Sequence, residues 1–281
     1  MDALGYYNGN WGPLDEMTIP MNDRGCYFGD GVYDAACSAN GIIFALDEHV
    51  NRFFNSAKLL EIELHYTKED LKKILCEMLT RVDGKELFVY WQATRGTGRR
   101  NHVFSSGPSN LMIIIKLFTI PDLSKKVKLI TIEDTRFLMC NIKTINLIPN
   151  VIAAQRALEA GCHEAVFHRG DIVTECSHSN VHIVKNGTFI THPTNNLILP
   201  GIARSHLARV CDRLGIPVEE RGFTLSEMLN ADEVLTSSTT SFALSASEID
   251  GKKAGGKAPE LLKKILDEVM REFTEATGYK W

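Results

Sequence analysis

The stretch RFLMCNIKTINLIPN, residues 136–150, decides how the rest of the sequence is interpreted. Lys143 is the only charged residue between Arg136 and Arg156, and its apolar neighbours are those expected of a buried strand and its exit. Burial disfavours an ammonium ion and lowers the pKa of a lysine, which makes its amine a nucleophile. A lysine can also extend its amine to the surface along an apolar stem. The stretch alone leaves both interpretations open.

Length, composition, net charge and cysteine content limit the class of protein. The chain has 281 residues, 44% hydrophobic and 23% charged, which is typical of one large or two ordinary globular domains. A net charge of −4 gives no reason to expect nucleic acid or an anionic membrane as a partner. No apolar run is long enough to span a bilayer, and the N-terminus lacks the regions of a signal peptide. Seven scattered cysteines without a C-x-x-C pair favour reduced thiols, so we expect a cytoplasmic protein.

The order of elements predicts an α+β protein with two domains. The segment PDLSKK, residues 121–126, is the expected linker. It separates a smaller N-terminal α+β domain, residues 1–120, from a larger C-terminal α+β domain, residues 127–281, which carries Lys143.

Several helix ends are marked by capping residues. Thr67 is an expected N-cap, and Thr224 with Glu227 forms an expected capping box. Apolar side chains at helical spacing predict a helix over 259–277.

Four polar features stand out from this framework. The loop TRGTGRRNHVFSSGPSN, residues 94–110, holds three arginines and a histidine, a set that suits either a solvated loop or the binding of a carboxylate. Glu175 lies in a predicted strand meander, where a carboxylate usually has a cationic partner or sits at an edge. Gly201 precedes a predicted helix, whose free N–H groups suit an anion. Five consecutive hydroxyl residues, 236–240, also suit a phosphate, although an ordinary polar turn has the same composition.

A metal centre is not predicted. Cys176, His178 and His182 share one face of a predicted strand, but no complete set of ligands with zinc-type spacing accompanies them.

Taken together, a lysine with apolar neighbours, a carboxylate in a strand meander, two candidate phosphate-binding segments and the arginine–histidine loop are the parts that pyridoxal phosphate chemistry requires. The lysine binds the aldehyde and later moves the α-proton. The carboxylate keeps the pyridine nitrogen protonated, and the anion-binding groups hold the phosphate.

At this point the chain resembles the class IV, or fold type IV, pyridoxal phosphate aminotransferases, and most closely their D-amino-acid transaminase members. The resemblance covers nearly the whole chain, through the ordered motifs DRGCYFGDGVYD, EHVNRF, TRGTGRRNHVF, CNIKTINLIPNV, VTECSHSNV, ILPGIAR and TSSTTS. It implies a two-domain α+β fold with the cofactor in the cleft between the domains, and a homodimer with residues of both subunits near each site.

The resemblance also implies roles for individual residues at the cofactor. Lys143 is expected to form the Schiff base and to act as the acid–base catalyst. Glu175 is expected to pair with the pyridine nitrogen. The remaining expected cofactor-binding positions hold the phosphate or support one face of the ring, and they are Arg52, Leu199, Ile202, Ala203, Ser238 and Thr239.

The resemblance implies a smaller set of residues that bind the substrate. In D-amino-acid transaminases, a tyrosine of the GDGVY motif and the arginine and histidine of an R-x-H segment hold the substrate α-carboxylate. These are Tyr33, Arg100 and His102 here. The expected reaction passes the amino group of a D-amino acid, with D-alanine the expected donor, to a 2-oxo acid, with 2-oxoglutarate the expected acceptor, in a ping-pong cycle.

Some positions depart from the family pattern. Cys176 and His178 stand where the related TEGSSSN motif has glycine and serine, and His182 replaces an aromatic residue. Phe137 stands where tryptophan is expected, and Ala203 replaces a threonine. These departures bear on substrate preference and rate more than on the class of reaction.

Three alternatives remain at this stage. An L-branched-chain aminotransferase would use the same cofactor residues, and aminodeoxychorismate lyase would release pyruvate without an amino acceptor. A catalytically silent protein that binds pyridoxal phosphate is the third. The R-x-H segment favours a D-amino acid over the first two, and the retained lysine and glutamate argue against the last.

Overall fold

The computed structural model describes residues 2–281 and divides into two compact units. The first contains the residues up to Ile120 together with Ile142–Asn146 and Phe273–Trp281. The second contains Pro121–Asn141 and Leu147–Glu272. Lys143 therefore belongs to the first unit, although it follows residues 121–126 in the sequence. The division into domains 1–120 and 127–281 with a linker at 121–126 stays a prediction.

The first unit is built on one antiparallel sheet. Its strands are β1 (Ala3–Tyr7), β2 (Asn10–Pro13), β3 (Gly31–Ala39), β4 (Ile42–Ile43), β5 (Glu86–Thr94) and β6 (Asn110–Leu117). Its helices are α1 (Arg24–Phe28), α2 (Leu46–Leu59) and α3 (Lys68–Leu79), with a short 3₁₀ helix at Leu14–Glu16. The six strands are ordered β2-β1-β6-β5-β3-β4.

Alternation of apolar side chains explains this sheet. Along β5, every second side chain from Leu87 to Ala93 is buried, and β6 repeats the pattern from Leu111 to Ile115. A period of two places these side chains on one face, where α2 and α3 cover them. Thr67 caps α3 as predicted, by accepting a hydrogen bond from the Asp70 backbone N–H.

The second unit contains a nine-stranded mixed sheet. Its strands are β7 (Val127–Glu133), β8 (Glu164–Arg169), β9 (Ile172–Cys176), β10 (Asn180–Lys185), β11 (Thr188–Thr191), β12 (Val218–Glu220), β13 (Glu233–Ser237), β14 (Leu244–Ile249) and β15 (Lys252–Lys253). Its helices are α4 (Ile148–Glu159), α5 (Ile202–Arg213), α6 (Leu225–Asn230) and α7 (Pro259–Thr277), the last of which ends in the first unit. The order is β12-β11-β10-β13-β14-β7-β8-β9, with β15 paired to β14.

The central strands of this sheet contain runs of consecutive buried residues, whereas buried and partly exposed residues alternate in β5 and β6. Five successive residues of β10, Asn180–Val184, are buried, as is every residue of β13. A strand that is buried on both faces has no polar side of its own. The polar side chains at the ends of β9, β10 and β13 therefore need specific partners. The predicted helix over 259–277 and the Thr224–Glu227 capping box are both confirmed.

The prediction of a buried strand within residues 136–150 is wrong. Phe137, Leu138 and Met139 are exposed, whereas Arg136 is buried. The segment forms only an isolated β-bridge, between Thr144 and Val32. The position of this bridge is explained by the free edge of β3. β4 is only two residues long, so β3 leaves an unpaired edge near its start for the lysine segment to pair with.

Among residues 2–281, no helix combines the length and the apolar composition needed to cross a membrane.

Candidate active site

The lysine segment is held by backbone hydrogen bonds to the start of β3. The Tyr33 N–H donates to the Lys143 carbonyl at 2.9 Å, and the Ile145 N–H donates to the Gly31 carbonyl at 3.1 Å. On the other side, the Lys143 N–H donates to Ser56 Oγ at 3.2 Å. These bonds fix the backbone on both sides of Lys143, whose side chain is half-buried.

The amine of Lys143 lies over an aromatic ring. Its Nζ is 4.3 Å from the centroid of the Tyr33 ring, within the range of a cation–π contact. Tyr33 is in turn stacked on Tyr90, with centroids 5.5 Å apart. The structure therefore brings together two residues that the sequence assigned separately, one to the cofactor and one to the substrate.

Asp34, His49 and Arg52 form a buried ionic network in the same unit. Arg52 donates from Nε and Nη2 to both carboxylate oxygens of Asp34, at 2.9 and 2.8 Å, and His49 Nδ1 lies 2.8 Å from Asp34 Oδ1. Burial raises the pKa of Asp34, but the charges of Arg52 and His49 outweigh it and hold that pKa well below its usual range. Asp34 is thus a carboxylate that orients Arg52. The role of Arg52 at the phosphate stays a prediction.

Arg100 and His102 are both exposed and meet at Phe28. The Arg100 guanidinium is 5.4 Å from the centroid of the Phe28 ring, and the His102 ring is 5.2 Å from it. Arg24 supports the same loop by donating from Nη1 to the Asn101 and Val103 carbonyls, at 2.7 and 3.1 Å. The R-x-H segment is therefore braced on α1, and the side chains of Arg100 and His102 are exposed to solvent.

In the second unit, Glu175 is the residue before the last of β9 and is buried among hydrogen-bond donors. Arg136 Nη1 donates to Glu175 Oε1. Asn180 Nδ2 and the Leu199 N–H donate to Glu175 Oε2, at 3.0 and 2.9 Å. These groups stabilise the carboxylate form, because each of them donates to it. Leu199, a predicted cofactor-binding residue, is therefore hydrogen-bonded to Glu175 through its backbone N–H.

Arg136 is itself fixed by Asp134. Its Nε and Nη2 donate to the two oxygens of Asp134, at 3.0 and 2.9 Å, and its guanidinium lies 4.5 Å from the centroid of the Phe167 ring. Burial lowers the pKa of Arg136, but the hydrogen bonds that it donates to Asp134 and the charge of Glu175 raise that pKa above its usual range. Of the two expectations for Glu175, a cationic partner or an edge position, Arg136 provides the first.

The start of α5 provides backbone donors close to Asn180. Its N-cap is Gly201, and no side chain caps the helix, so the first N–H groups, those of Ile202 and Ala203 included, suit an anion. A Cβ built on Gly201 would lie 2.0 Å from Asn180 Oδ1. The absence of a side chain is what allows this close approach between the helix and the Glu175 network.

The hydroxyl run after β13 forms a compact turn. Ser238 Oγ lies 2.7 Å from Ser241 Oγ and 3.3 Å from Thr240 Oγ1, and it accepts a hydrogen bond from the Ser241 N–H at 3.2 Å. Thr239 lies inside this turn. Hydroxyls and amides are thus gathered on one short segment, as the binding of a phosphate requires.

His182 anchors the strand that leads into this turn. Its Nε2 lies 2.8 Å from Ser237 Oγ and its Nδ1 lies 2.9 Å from Thr191 Oγ1. Burial lowers the pKa of His182 to about 3, so the imidazole is neutral at pH 7. His182 therefore has a structural explanation that does not involve a metal.

Sequence reasoning missed three partners of the predicted residues. Arg136 was named only as an end of the lysine stretch, and Asp34 and Asn180 had no assigned role. Charge gave a signal for the first two, because a buried carboxylate or guanidinium requires an opposite charge. Asn180 had no signal beyond its presence in the VTECSHSNV motif.

The amino-transferase class IV family model matches residues 31–249 of the chain. This chain belongs to the class IV aminotransferases. A D-alanine aminotransferase of Bacillus licheniformis is 38% identical over 271 residues, which cover 94% of this chain and 95% of that protein. One of Staphylococcus haemolyticus is 36% identical over 275 residues, which cover 96% of this chain and 98% of that protein.

Solved structures agree on the fold. A branched-chain aminotransferase of Thermoproteus uzoniensis superposes with a TM-score of 0.89 at 22% identity, over 98% of this chain and 97% of that one. The fold IV transaminase CpuTA1 of Curtobacterium pusillum gives a TM-score of 0.81 at 18% identity, over 92% and 93% of the two chains. The predicted fold type IV and the predicted aminotransferase class are confirmed.

Pyridoxal phosphate is the cofactor of class IV aminotransferases, which confirms the predicted cofactor. The residues of this aminotransferase fit that group. The first unit supplies an amine over an aromatic ring. The second supplies an anionic carboxylate with a fixed cationic partner, an uncapped helix start and a turn rich in hydroxyls.

Proposed function

We propose that this aminotransferase is a D-amino-acid transaminase that passes the amino group of D-alanine to 2-oxoglutarate, yielding pyruvate and D-glutamate. The observation that carries the proposal is the similarity to D-alanine aminotransferases along 94% of the chain. The exposed Arg100 and His102, braced against Phe28, support it.

The proposed roles at the cofactor follow from the geometry within each unit. When bound, pyridoxal phosphate supplies an aldehyde for the amino group and a ring that accepts the electrons left when the α-proton departs. Lys143 Nζ takes the α-proton and returns it, and its backbone is fixed by Tyr33 and Ser56 for this task. Glu175 stays ionised beside Arg136, and so favours a protonated pyridine nitrogen.

Each unit, taken by itself, offers groups that we propose as phosphate contacts. Arg52 is held by Asp34 in the first unit. Backbone N–H groups of Ile202 and Ala203 at the start of α5, and the Ser238–Thr239 segment, provide the uncharged donors. Leu199 supports one face of the ring, through the segment that its N–H ties to Glu175.

We propose that Tyr33, Arg100 and His102 bind the substrate α-carboxylate. Arginine pairs with a carboxylate through two parallel hydrogen bonds, which fixes orientation as well as position. With the carboxylate held on that side, the D-enantiomer presents its Cα–H bond towards the lysine.

The test is the visible absorption of the purified protein before and after the addition of D-alanine or L-alanine. We expect a yellow band that D-alanine alone bleaches, with pyruvate formed. Bleaching by L-amino acids alone would move the function to the branched-chain side, the class that shares this fold.

A pair of variants tests the carboxylate contacts. Arg100→Ala is expected to raise the KM for D-alanine at least tenfold, about 1.4 kcal/mol, with little change in cofactor affinity. Arg99→Ala is the matched control, because Arg99 is an exposed arginine of the same loop. Equal KM values for the two variants would remove Arg100 from the site.

We also propose that the enzyme is a cytoplasmic homodimer without a nucleic-acid or membrane partner. The seven cysteines are thiols rather than disulfides, which supports a reducing compartment. Exposed apolar side chains on α4, at Ile148, Val151 and Ile152, support a protein interface. Light scattering coupled to size exclusion measures the subunit number.

A further inference from the structure

Two histidines and a glutamate lie together at the start of β8. His163, Glu164 and His178 each offer one ligand atom, and these atoms lie within 4.8 Å of one another. His163 and His178 are exposed, whereas Glu164 is buried. None of the three has a role in the proposed transamination.

Strand pairing explains why the sequence brings them together. β8 and β9 are antiparallel, with Val166 opposite Cys176. The Ser177 N–H donates to the Ala165 carbonyl at 2.9 Å, which continues the ladder by one residue. Glu164, the first residue of β8, therefore lies beside the turn 177–179 that holds His178.

The carboxylate of Glu164 is oriented by protein donors. The His178 N–H donates to its Oε1 and the Ser179 hydroxyl donates to its Oε2, both at 2.6 Å, while the Ser177 hydroxyl donates to Oε1 at 3.3 Å. Hydrogen bonds of this kind fix a metal-binding carboxylate in place and are typical of the groups around a metal ligand. A carboxylate has about four acceptor positions, so these donors do not exhaust it.

The imidazoles approach the carboxylate from the solvent side. His178 Nδ1 is 3.0 Å from Glu164 Oε1, and the His163 and His178 rings are 6.1 Å apart between centroids. Two ligands of a tetrahedral ion at about 2.1 Å are about 3.4 Å apart, a spacing that small rotations of two exposed rings can reach. The unit thus provides three ligand atoms on one patch, with the fourth position open to water.

We propose that His163, Glu164 and His178 form a binding site for a divalent transition-metal ion of the zinc type. Imidazole ligands favour Zn²⁺, Cu²⁺ and Ni²⁺, whereas Mg²⁺ and Ca²⁺ prefer sites made only of oxygen atoms. Two histidines and one glutamate are also the ligand set of known zinc centres with an open position.

The site has a structural consequence for its neighbours. The segment 177–179 connects the end of β9, one residue after Glu175, to Asn180 at the start of β10, and the side chains of Glu175 and Asn180 are hydrogen-bonded. A metal ion bound to His178 ties this connection to the start of β8. Binding to the folded state alone raises stability by mass action, so the ion is expected to raise the melting temperature.

The first test is the binding of Zn²⁺ to the holoenzyme by equilibrium dialysis. We expect wild type to bind one more ion per chain than His178→Ser and His163→Ala, or to bind it at least tenfold more tightly. His65→Ala is the control, because His65 is an exposed histidine outside the cluster. All seven cysteines and the cofactor are the same in these proteins, so thiol and cofactor binding cancel. Equal binding by wild type and His178→Ser would overturn the proposal.

Two further readouts do not depend on catalysis. Zn²⁺ is expected to raise the melting temperature of wild type and His65→Ala, but not of the other two variants. Cu²⁺ bound to wild type is expected to show hyperfine coupling to two imidazole nitrogens in its electron paramagnetic resonance spectrum. A spectrum without imidazole coupling would overturn the assignment. The histidines, rather than Glu164, are substituted because they are exposed, and their replacement leaves the buried hydrogen bonds of Glu164 in place.

Discussion

At the scale of single residues, the chemistry depends on buried charges that are neutralised by partners far away in sequence. Glu175 and Arg136 are 39 residues apart, and Arg52 and Asp34 are 18 apart. Each pair is almost wholly buried. Removing one member of such a pair leaves a buried charge without its partner, which costs about 3–5 kcal/mol of the free energy of unfolding.

Arg136→Met tests this point at the cofactor carboxylate. We expect a loss of about 3–5 kcal/mol in the free energy of unfolding and a clear fall in cofactor affinity, because Glu175 loses its cationic partner. Urea unfolding and the absorbance of the bound cofactor measure the two effects. Arg169→Met is the control, since Arg169 also pairs with Asp134 but is partly exposed. Equal losses of cofactor affinity would show that Arg136 acts only through Asp134.

His182 provides a prediction about pH. Its pKa is about 3 in the folded state against 6.5 in a model peptide, so the unfolded chain binds a proton over a range where the folded chain does not. Its contribution to stability is therefore complete above pH 6.5 and is lost as the pH falls towards 3.

We expect His182→Phe to be less stable than wild type at pH 7, because Ser237 and Thr191 lose a hydrogen-bond partner. The difference is expected to shrink between pH 7 and pH 5, because the variant has no histidine here to charge on unfolding. Urea unfolding at the two pH values measures it. A constant difference would contradict the neutral buried imidazole.

At the scale of elements, local sequence patterns predicted helices and their caps correctly. They did not predict the conformation of an apolar stretch that forms no buried strand. The capping box at Thr224 and the helix over 259–277 were predictable, because each depends on residues within a few positions of one another. The stretch 136–150 was misassigned for the opposite reason. Phe137, Leu138 and Met139 lie on the surface, and the pairing with β3 involves residues 143–145.

Gly201 tests the contact between the α5 N-terminus and Asn180. Gly201→Ala is expected to lower cofactor affinity at least tenfold, about 1.4 kcal/mol, because the new Cβ would lie 2.0 Å from Asn180 Oδ1 and displace a donor to Glu175. Cofactor titration followed by absorbance measures the change. Gly222→Ala is the control, since its Cβ would lie 3.5 Å from Ile172 Cγ2, an ordinary contact. Unchanged affinity in Gly201→Ala would contradict the close approach.

At the scale of the whole molecule, α4 carries several exposed apolar side chains. Val151, on α4, is 60% exposed, and Ile148 and Ile152 flank it on the same face. Such a patch is expensive for a monomer in water.

Val151→Asp is therefore expected to shift the proposed homodimer towards monomer, because a buried interface would have to accommodate an unpaired carboxylate. Light scattering at several protein concentrations measures the shift. Met21→Asp is the control, an exposed apolar residue in the first unit. The same subunit number in both variants would place the interface elsewhere.

The sequence by itself determined the family, the class of reaction and the cofactor. Several ordered motifs, from GDGVY to TSSTTS, are each local in the chain, and together they are specific. It also singled out Lys143, since a lone charge in an apolar stretch is visible without a structure. Only the tertiary structure decided which groups neutralise Glu175 and Arg52, and that His163 and His178 meet at Glu164. Those contacts join residues brought together by strand pairing and packing, and the pattern of neighbours along the chain carries no record of them.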